Sequence, residues 1–233
     1  VTVAAQPRVF IVSGPSGSGK STVVEHLLRT VPDTMFSVSY TTRKPRAGEQ
    51  DGREYSFVSR EKFEEMIARE EFLEYADVFG NLYGTHAGVL AEAEKNKKDL
   101  VLDIDVQGAR QVKAKLPGAV AVFLLPPSRQ ELERRLLARG QDSSEVIARR
   151  LEMARREIES YDNFDYLVVN HDLQETCTQV EAIVQVRREQ CGASGAAIAG
   201  VAGSFRAQAA AARRETTSER VSGILETFGS SSA

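Results

Sequence analysis

The stretch Gly14-Pro15-Ser16-Gly17-Ser18-Gly19-Lys20-Ser21 sets glycines, a lysine and a hydroxyl at the spacing G-x-x-x-x-G-K-[ST]. That pattern suits phosphate binding. Gly14, Gly17 and Gly19 leave backbone N–H groups open to phosphate oxygens that a Cβ would obstruct. A helix beginning near Lys20 adds its positive end. Lys20 reaches β- and γ-phosphates as a point charge, and the Ser21 hydroxyl suits Mg²⁺. The β-branched run "RVFIVSG" before it, and the amphipathic "KSTVVEHLLRTV" after it, stopped by Pro32, supply the strand–loop–helix setting the motif needs. A nucleoside triphosphate is therefore expected here. What receives the phosphoryl group is not named, because GTPases, motors and small kinases share the motif.

A second cluster, "SYTTRKPRAGEQDGREY" (39–55), places Arg43 and Arg46 among hydroxyls and is broken by Pro45, Gly48 and Gly52. Those breakers predict a shaped loop or a short irregular strand pair. Forked guanidinium donors match the oxygens of a phosphate, and Tyr55 and Tyr83 add phenolic donors without adding charge. A small kinase must hold an anionic acceptor, and this stretch is the candidate cradle. Asp103 and Asp105 close the run "LVLDID" (100–105). Carboxylates two residues apart on a strand share a face, at the strand end where a parallel sheet gathers ligand-binding groups. Capping of the next helix is the alternative for either one.

The elements that must position these groups are legible. "LVLDID", "VAVFLL" (120–125) and "YLVV" (166–169) are continuous apolar runs, as in strands covered on both faces. Between them lie helix patterns. "SREKFEEMIAREE" has Ser59 placed as its cap. "SRQELERRLLARG" opens on a Ser128/Glu131 capping box and closes at Gly140. "DSSEVIARRLEMARREIESY" has Asp142 and Glu145 at the same spacing, with Ile147, Leu151, Ala154 and Ile158 down one face. This alternation predicts an α/β fold on a mainly parallel sheet.

Bulk composition narrows the classes. The chain has 233 residues, 42% of them apolar, enough for a well-buried domain. A net charge of -3 argues against a nucleic-acid coat, so anion sites must be local. No run approaches the roughly 20 apolar residues that cross a bilayer, and "VTVAAQPR" has no basic head followed by an apolar run. Cys177 and Cys191 fit neither a metal pair nor a disulfide framework. His26, His86 and His171 lack partners at ligand spacing. A cytoplasmic enzyme without a protein-held metal, binding neither nucleic acid nor membrane, is expected. Beyond Cys191 the chain turns rich in Ala, Gly and Ser. There the expectation is a flexible or partly helical tail (192–233) whose removal leaves activity nearly intact. A weak partner-binding helix near "SERVSGILETF" is the alternative.

The segments "SVSYTTRKPRAGEQDGREYSFV", "FLEYADVFGNLYGT" and "LVLDIDVQGARQVK", in that order, resemble guanylate kinase of the nucleoside-monophosphate kinase group. The resemblance runs from about Arg8 to Arg188. It implies a P-loop kinase domain (1–191) with an acceptor-binding arm at about 37–91 and a helical lid at about 129–158. It implies transfer from ATP, with Mg²⁺, to GMP and also dGMP, in purine nucleotide metabolism. Arg43, Arg46, Tyr55 and Tyr83 match residues that bind the acceptor phosphate. Ser39 and Thr85 match hydroxyls that touch the base, and Glu74 matches a guanine-reading carboxylate. Asp103 and Asp105 match groups that contact the acceptor and help order Mg²⁺. Arg135, Arg139 and Arg150 match phosphate-facing lid arginines, and Asn170 matches a contact to adenine. Lys20, Arg43, Arg139, Arg150 and Asp103 are the residues expected to act on the transferring group.

The chemistry of guanine agrees with the assignment of Glu74. Its N1–H and N2–H₂ donors lie side by side and suit one ionised carboxylate, whereas adenine lacks both; such mismatches discriminate by about 10⁴-fold. One departure is His171, which follows Asn170 where the family usually carries an acidic residue. Two rivals stand beside this reading. A guanylate-kinase-like protein-binding module is disfavoured by the intact Lys20 and Ser21. A kinase of other base specificity is disfavoured, for AMP, by Glu74. The motifs leave the oligomeric state open.

Overall fold

The computed structural model describes residues 7–229 apart from 47, 139, 141–142 and 192–201. β1 (Val9–Ser13) is buried at every residue, and α1 (Lys20–Thr30) follows the glycine-rich loop. β2 (Thr34–Phe36), β7 (Asp99–Asp103), β8 (Val120–Leu125) and β9 (Tyr166–Val169) complete a five-stranded sheet in the order β2-β7-β1-β8-β9. β2 pairs in parallel with β7, and β8 with β9, so this sheet is the one the apolar runs predict.

By contact the chain forms two compact units. One takes in residues up to Ile11 and Pro32–Ala119; the other takes in Val12–Val31 and the chain from Val120 on. The first unit contains a second sheet that sequence reading did not separate. It is made of β3 (Tyr40–Thr41), β4 (Ser56–Phe57), β5 (Phe72–Val78) and β6 (Asn81–His86), in the order β4-β3-β6-β5. β3 and β4 pair in parallel across the arginine-rich segment, while β5 and β6 form an antiparallel hairpin. Phe79 and Gly80, both at positive φ, make the tight turn that matches strand twist. The segment around Glu74 is therefore strand. α2 (Arg60–Ala68), capped by Ser59 Oγ accepting from Lys62 N at 3.2 Å, lays Phe63 and Met66 over this sheet. Phe63 stacks on Phe72 at 4.4 Å between ring centroids, within a cluster that includes Leu82. α3 (Gly88–Asn96) and α4 (Val106–Lys115) complete the unit. β7 stops at Asp103, so Asp103 and Asp105 do not lie on one strand as expected; Asp105 caps α4 instead.

The second unit contains α5 (Arg129–Ala138), α6 (Ser144–Ile158) and α7 (Leu173–Gln190). Ser128 Oγ accepts from Glu131 N at 3.2 Å, but the Glu131 carboxylate turns to Arg134 and Arg135. Ser143, not Asp142, caps α6, its Oγ accepting from Val146 N; Asp142 lies outside the described residues. The apolar stripe Ile147, Leu151, Ala154 and Ile158 is buried as its spacing predicts. Of the tail expected to be flexible or partly helical, residues 202–229 are helical apart from a short link. There the chain forms α8 (Ala202–Ala211) and α9 (Arg214–Gly229), the latter burying Thr217, Val221, Ile224 and Phe228. A few large residues at helical spacing make an apolar stripe even in an Ala-rich segment. Residues 192–201 lie outside the described set.

Candidate active site

The loop between β1 and α1 is shaped by close approaches. A Cβ on Gly14 would stand 2.3 Å from Leu124 O, and one on Gly19 would stand 2.6 Å from Asn170 Nδ2, so neither position admits a side chain. Gly19, at φ 101°, is the residue before α1, and no side chain caps that helix. Its first-turn N–H groups are thus positioned for an anion. Lys20 Nζ donates to Gly14 O at 2.6 Å and to Pro15 O at 3.3 Å, which places the ammonium along the rim of the loop. Ser21 is exposed at the first turn.

Within the same unit two of the arginines expected in a lid, Arg135 and Arg150, meet this region. Arg150 Nη1 donates to Ser16 Oγ at 3.0 Å. Arg135 donates through Nε to Glu131 at 2.7 Å and through Nη2 to Asn170 O at 2.8 Å. The hydrogen bonds from Arg134 and Arg135 hold the Glu131 carboxyl down at about 2, so it stays charged and fixes Arg135. Asn170 is buried; its amide donates to Ser18 O at 2.8 Å and accepts from Thr176 Oγ1 at 3.2 Å. Its amide thus holds the loop, and His171 is exposed. Arg139 lies outside the described residues. His26 pairs with Glu181 at 2.8 Å.

In the other unit, the residues expected to hold the acceptor lie on or beside the second sheet. Arg43 makes a bidentate pair with Glu49, at 3.0 and 2.9 Å, and lies 5.3 Å from the centre of the Tyr55 ring. Arg46 is exposed, its backbone N–H donating to Glu49 Oε2 at 2.7 Å. The Arg43 hydrogen bonds hold the Glu49 carboxyl below the usual carboxylate range. Glu49 was not singled out from the sequence, although a carboxylate three positions from Arg46 is a signal for a charge partner of these arginines. Tyr55 and Tyr83 meet edge to face at 5.8 Å. Burial, reinforced by the Asp103 charge, pushes the Tyr55 phenol up to about 12, so it remains a donor at neutral pH.

Glu74 is buried on β5, opposite Thr85 on β6, and Thr85 Oγ1 donates to Glu74 Oε1 at 2.6 Å. Burial raises its carboxyl to about 7 against that hydrogen bond, with the Asp105 charge adding to the rise. Ser39 is also buried. Three further residues, none signalled locally by the sequence, position Glu74. A Cβ on Gly108 would stand 2.3 Å from Glu74 Oε2, so the missing side chain lets the carboxylate lie against the first turn of α4. Gly108 N in turn donates to Asp105 Oδ1 at 2.8 Å. Gln111 spans the Tyr75 backbone, accepting from its N–H at 3.2 Å and donating to its carbonyl at 2.7 Å. Lys115 Nζ donates to Leu73 O at 2.6 Å.

A phosphate loop on a parallel sheet with arginines from two helices beside it, in a chain that also carries an arginine–tyrosine cluster and a buried carboxylate on a second sheet, has the features of a P-loop nucleotide kinase. The family model for guanylate kinase matches residues 6–187. A guanylate kinase of Koribacter versatilis is 54% identical over 183 residues, 77% of this chain and 78% of that protein. The Escherichia coli K12 guanylate kinase is 49% identical over 186 residues, 79% and 90% of the two chains. The crystal structure of guanylate kinase from Anaplasma phagocytophilum superposes with a TM-score of 0.65 at 34% identity, over 78% of this chain and 86% of that one. The chain belongs to the guanylate kinase family. The activity of that family is phosphorylation of GMP by ATP.

Proposed function

We propose that this chain transfers the γ-phosphoryl group of ATP to GMP, and to dGMP, with the following division of work. The loop from Gly14 to Ser21 binds the donor phosphates, Lys20 neutralising charge that develops as the bond to the β-phosphate breaks. Arg135, Arg139 and Arg150 stabilise the charge on the moving group. Arg43, Arg46, Tyr55 and Tyr83 grip the acceptor phosphate, Glu74 with Ser39 and Thr85 reads guanine, and Asp103 and Asp105 orient the acceptor. A phosphate oxygen of GMP is already an anionic nucleophile, so no covalent enzyme intermediate is required. Water must be kept from the donor, or ATP would be hydrolysed.

Mg²⁺ is part of this reading. The donor set fits it, because Mg²⁺ favours oxygen ligands and keeps most of its waters, so the Ser21 hydroxyl and the nucleotide phosphates suffice. When bound, it screens the charge of the donor phosphates. A cytoplasmic setting is also part of the reading, supported by Cys177 and Cys191 being free thiols.

The observation that carries the base assignment is a buried carboxylate, fixed by Thr85 and aligned over Gly108, on the same small sheet that organises Arg43 and Tyr55. A coupled assay with GMP, dGMP, AMP and UMP at equal concentration tests it. GMP should be used at least about 10³-fold more efficiently than AMP; equal use of AMP would refute the role of Glu74.

A further inference from the structure

α8 and α9 lie beyond residues 6–187, which the family model matches, yet α9 packs against β9, α5 and α6, and α8 packs against α7. The attachment is specific. Arg213 forms an antiparallel bridge with Tyr166 on the outer strand of the sheet, flanked by Leu167 N donating to Ala212 O at 2.8 Å and Arg214 N donating to Asp165 O at 3.2 Å. The Arg213 guanidinium lies 5.7 Å from the centre of the Tyr166 ring. Backbone groups at the start of this edge strand are thus taken up by the extension. From that anchor α9 runs along the lid helices with Thr217, Val221, Ile224 and Phe228 buried at intervals of four, three and four residues.

At its far end, Thr227 Oγ1 accepts from the N–H of Arg129, the first residue of α5, at 2.9 Å, while donating to Ile224 O at 2.6 Å. α5 therefore has one of its orphan N-terminal donors satisfied from α9. α5 is the helix that carries Arg135, and its Leu132 and Leu136 underlie the phosphate loop: a Cβ on Gly17 would stand 2.9 Å from Leu132 Cδ1 and 3.3 Å from Leu136 Cδ2. α6, also against α9, carries Arg150, which donates to Ser16.

We infer that α8 and α9 form an intramolecular brace, fastened to the β9 edge, that positions α5 and α6 and so aims Arg135 and Arg150 at the donor phosphates, with Thr227 as its principal positioning residue. The inference rests on the proposed roles of those two arginines. A helix fixed at one end to the sheet edge and at the other to the start of α5 limits how far that helix can rotate. Loss of the Thr227 contact frees the first turn of α5 without touching any nucleotide-binding group, so the effect falls on ATP handling and leaves GMP handling alone.

The test uses the full chain with Thr227→Val, which keeps the shape of the side chain and removes its oxygen, and Thr227→Ser, which restores the oxygen. Steady-state kinetics are measured with each substrate varied in turn, alongside hydrogen exchange of the α5 amides and a thermal melt. Thr227→Val should raise the KM for ATP or lower kcat by two- to tenfold, leave the KM for GMP unchanged, and speed exchange in the first turn of α5; Thr227→Ser should recover most of the loss. Ile224→Ala, which thins the buried stripe, should act in the same direction. A lower melting temperature with ATP and GMP kinetics unchanged in both variants would overturn the brace and leave only a stabilising role. Arg135→Ala and Arg150→Ala run in parallel separate the two readings. If they reduce turnover while the α9 variants do not, the brace fails alone; if they too are silent, the arginine roles fail and the brace with them.

Discussion

The role proposed for Glu74 ties base choice to pH, and its position allows the effect to be worked out. Burial moves its carboxyl from an ordinary 4.5 to about 7. The folded chain thus holds a proton at Glu74 that the unfolded chain has already released, and stability falls as pH rises through that interval. The contribution is fully present below about pH 4.5 and lost above about pH 7. The separation of about 2.5 pH units corresponds to roughly 3 kcal/mol. Glu74→Gln keeps the shape and removes the titration. Urea melts of the two proteins between pH 4.5 and 8 should therefore show the variant gaining on the parent by roughly 3 kcal/mol as pH rises. Guanine needs the ionised form, which makes up about a tenth of empty sites at pH 6 and about nine-tenths at pH 8. The ratio of GMP affinities, parent over variant, should then rise about tenfold from pH 6 to pH 8. Taking the ratio cancels the titration of GMP's own phosphate. Calorimetric titrations at the two pH values measure it. A flat ratio together with parallel melting curves would refute both the buried titration and the base-reading role.

Other outcomes follow from the same geometry. Lys20→Ala should lower kcat by about 10²- to 10³-fold with an unchanged melting temperature, because it removes a charge aimed at the transferring group. Glu49→Gln should raise the KM for GMP by about tenfold and leave the KM for ATP alone, since Arg43 loses its charged partner; steady-state kinetics report both. Gly108→Ala adds a good helix former within α4 but drives a methyl against Glu74, so kcat/KM for GMP should drop by about tenfold or more even if the melt is unchanged or higher. Phe63→Ala removes one ring of the stack that supports the second sheet. It should cost roughly 3–5 kcal/mol in a denaturant melt and weaken GMP binding more than ATP binding.

The phosphate loop was legible because its chemistry is local: glycines, lysine and serine at fixed spacing between a β-branched run and an amphipathic one. The strands at 120–125 and 166–169 were read to the residue, since continuous apolar runs leave little choice of boundary. The hairpin β5–β6 was harder, because "REEFLEYADVFG" mixes charge and aromatics without clean alternation, and its one buried carboxylate looks like a surface residue. Asp105 shows the opposite error. Its spacing from Asp103 suggested a shared strand face, but the chain turns after Asp103 and Asp105 becomes a helix cap.

The sequence by itself determined which groups can hold phosphate and, through several motifs in order, which family supplies the reaction, because those features depend on residue types a few positions apart. Only the tertiary structure decided that Glu74 is buried and titrates near neutrality, that Gly108 makes room for its carboxylate, that Arg213 bridges to the start of β9, and that α9 caps α5. Each of these depends on groups brought together from distant parts of the chain. Burial, steric exclusion and the partner of an orphan N–H are properties of that packing, which local spacing does not encode.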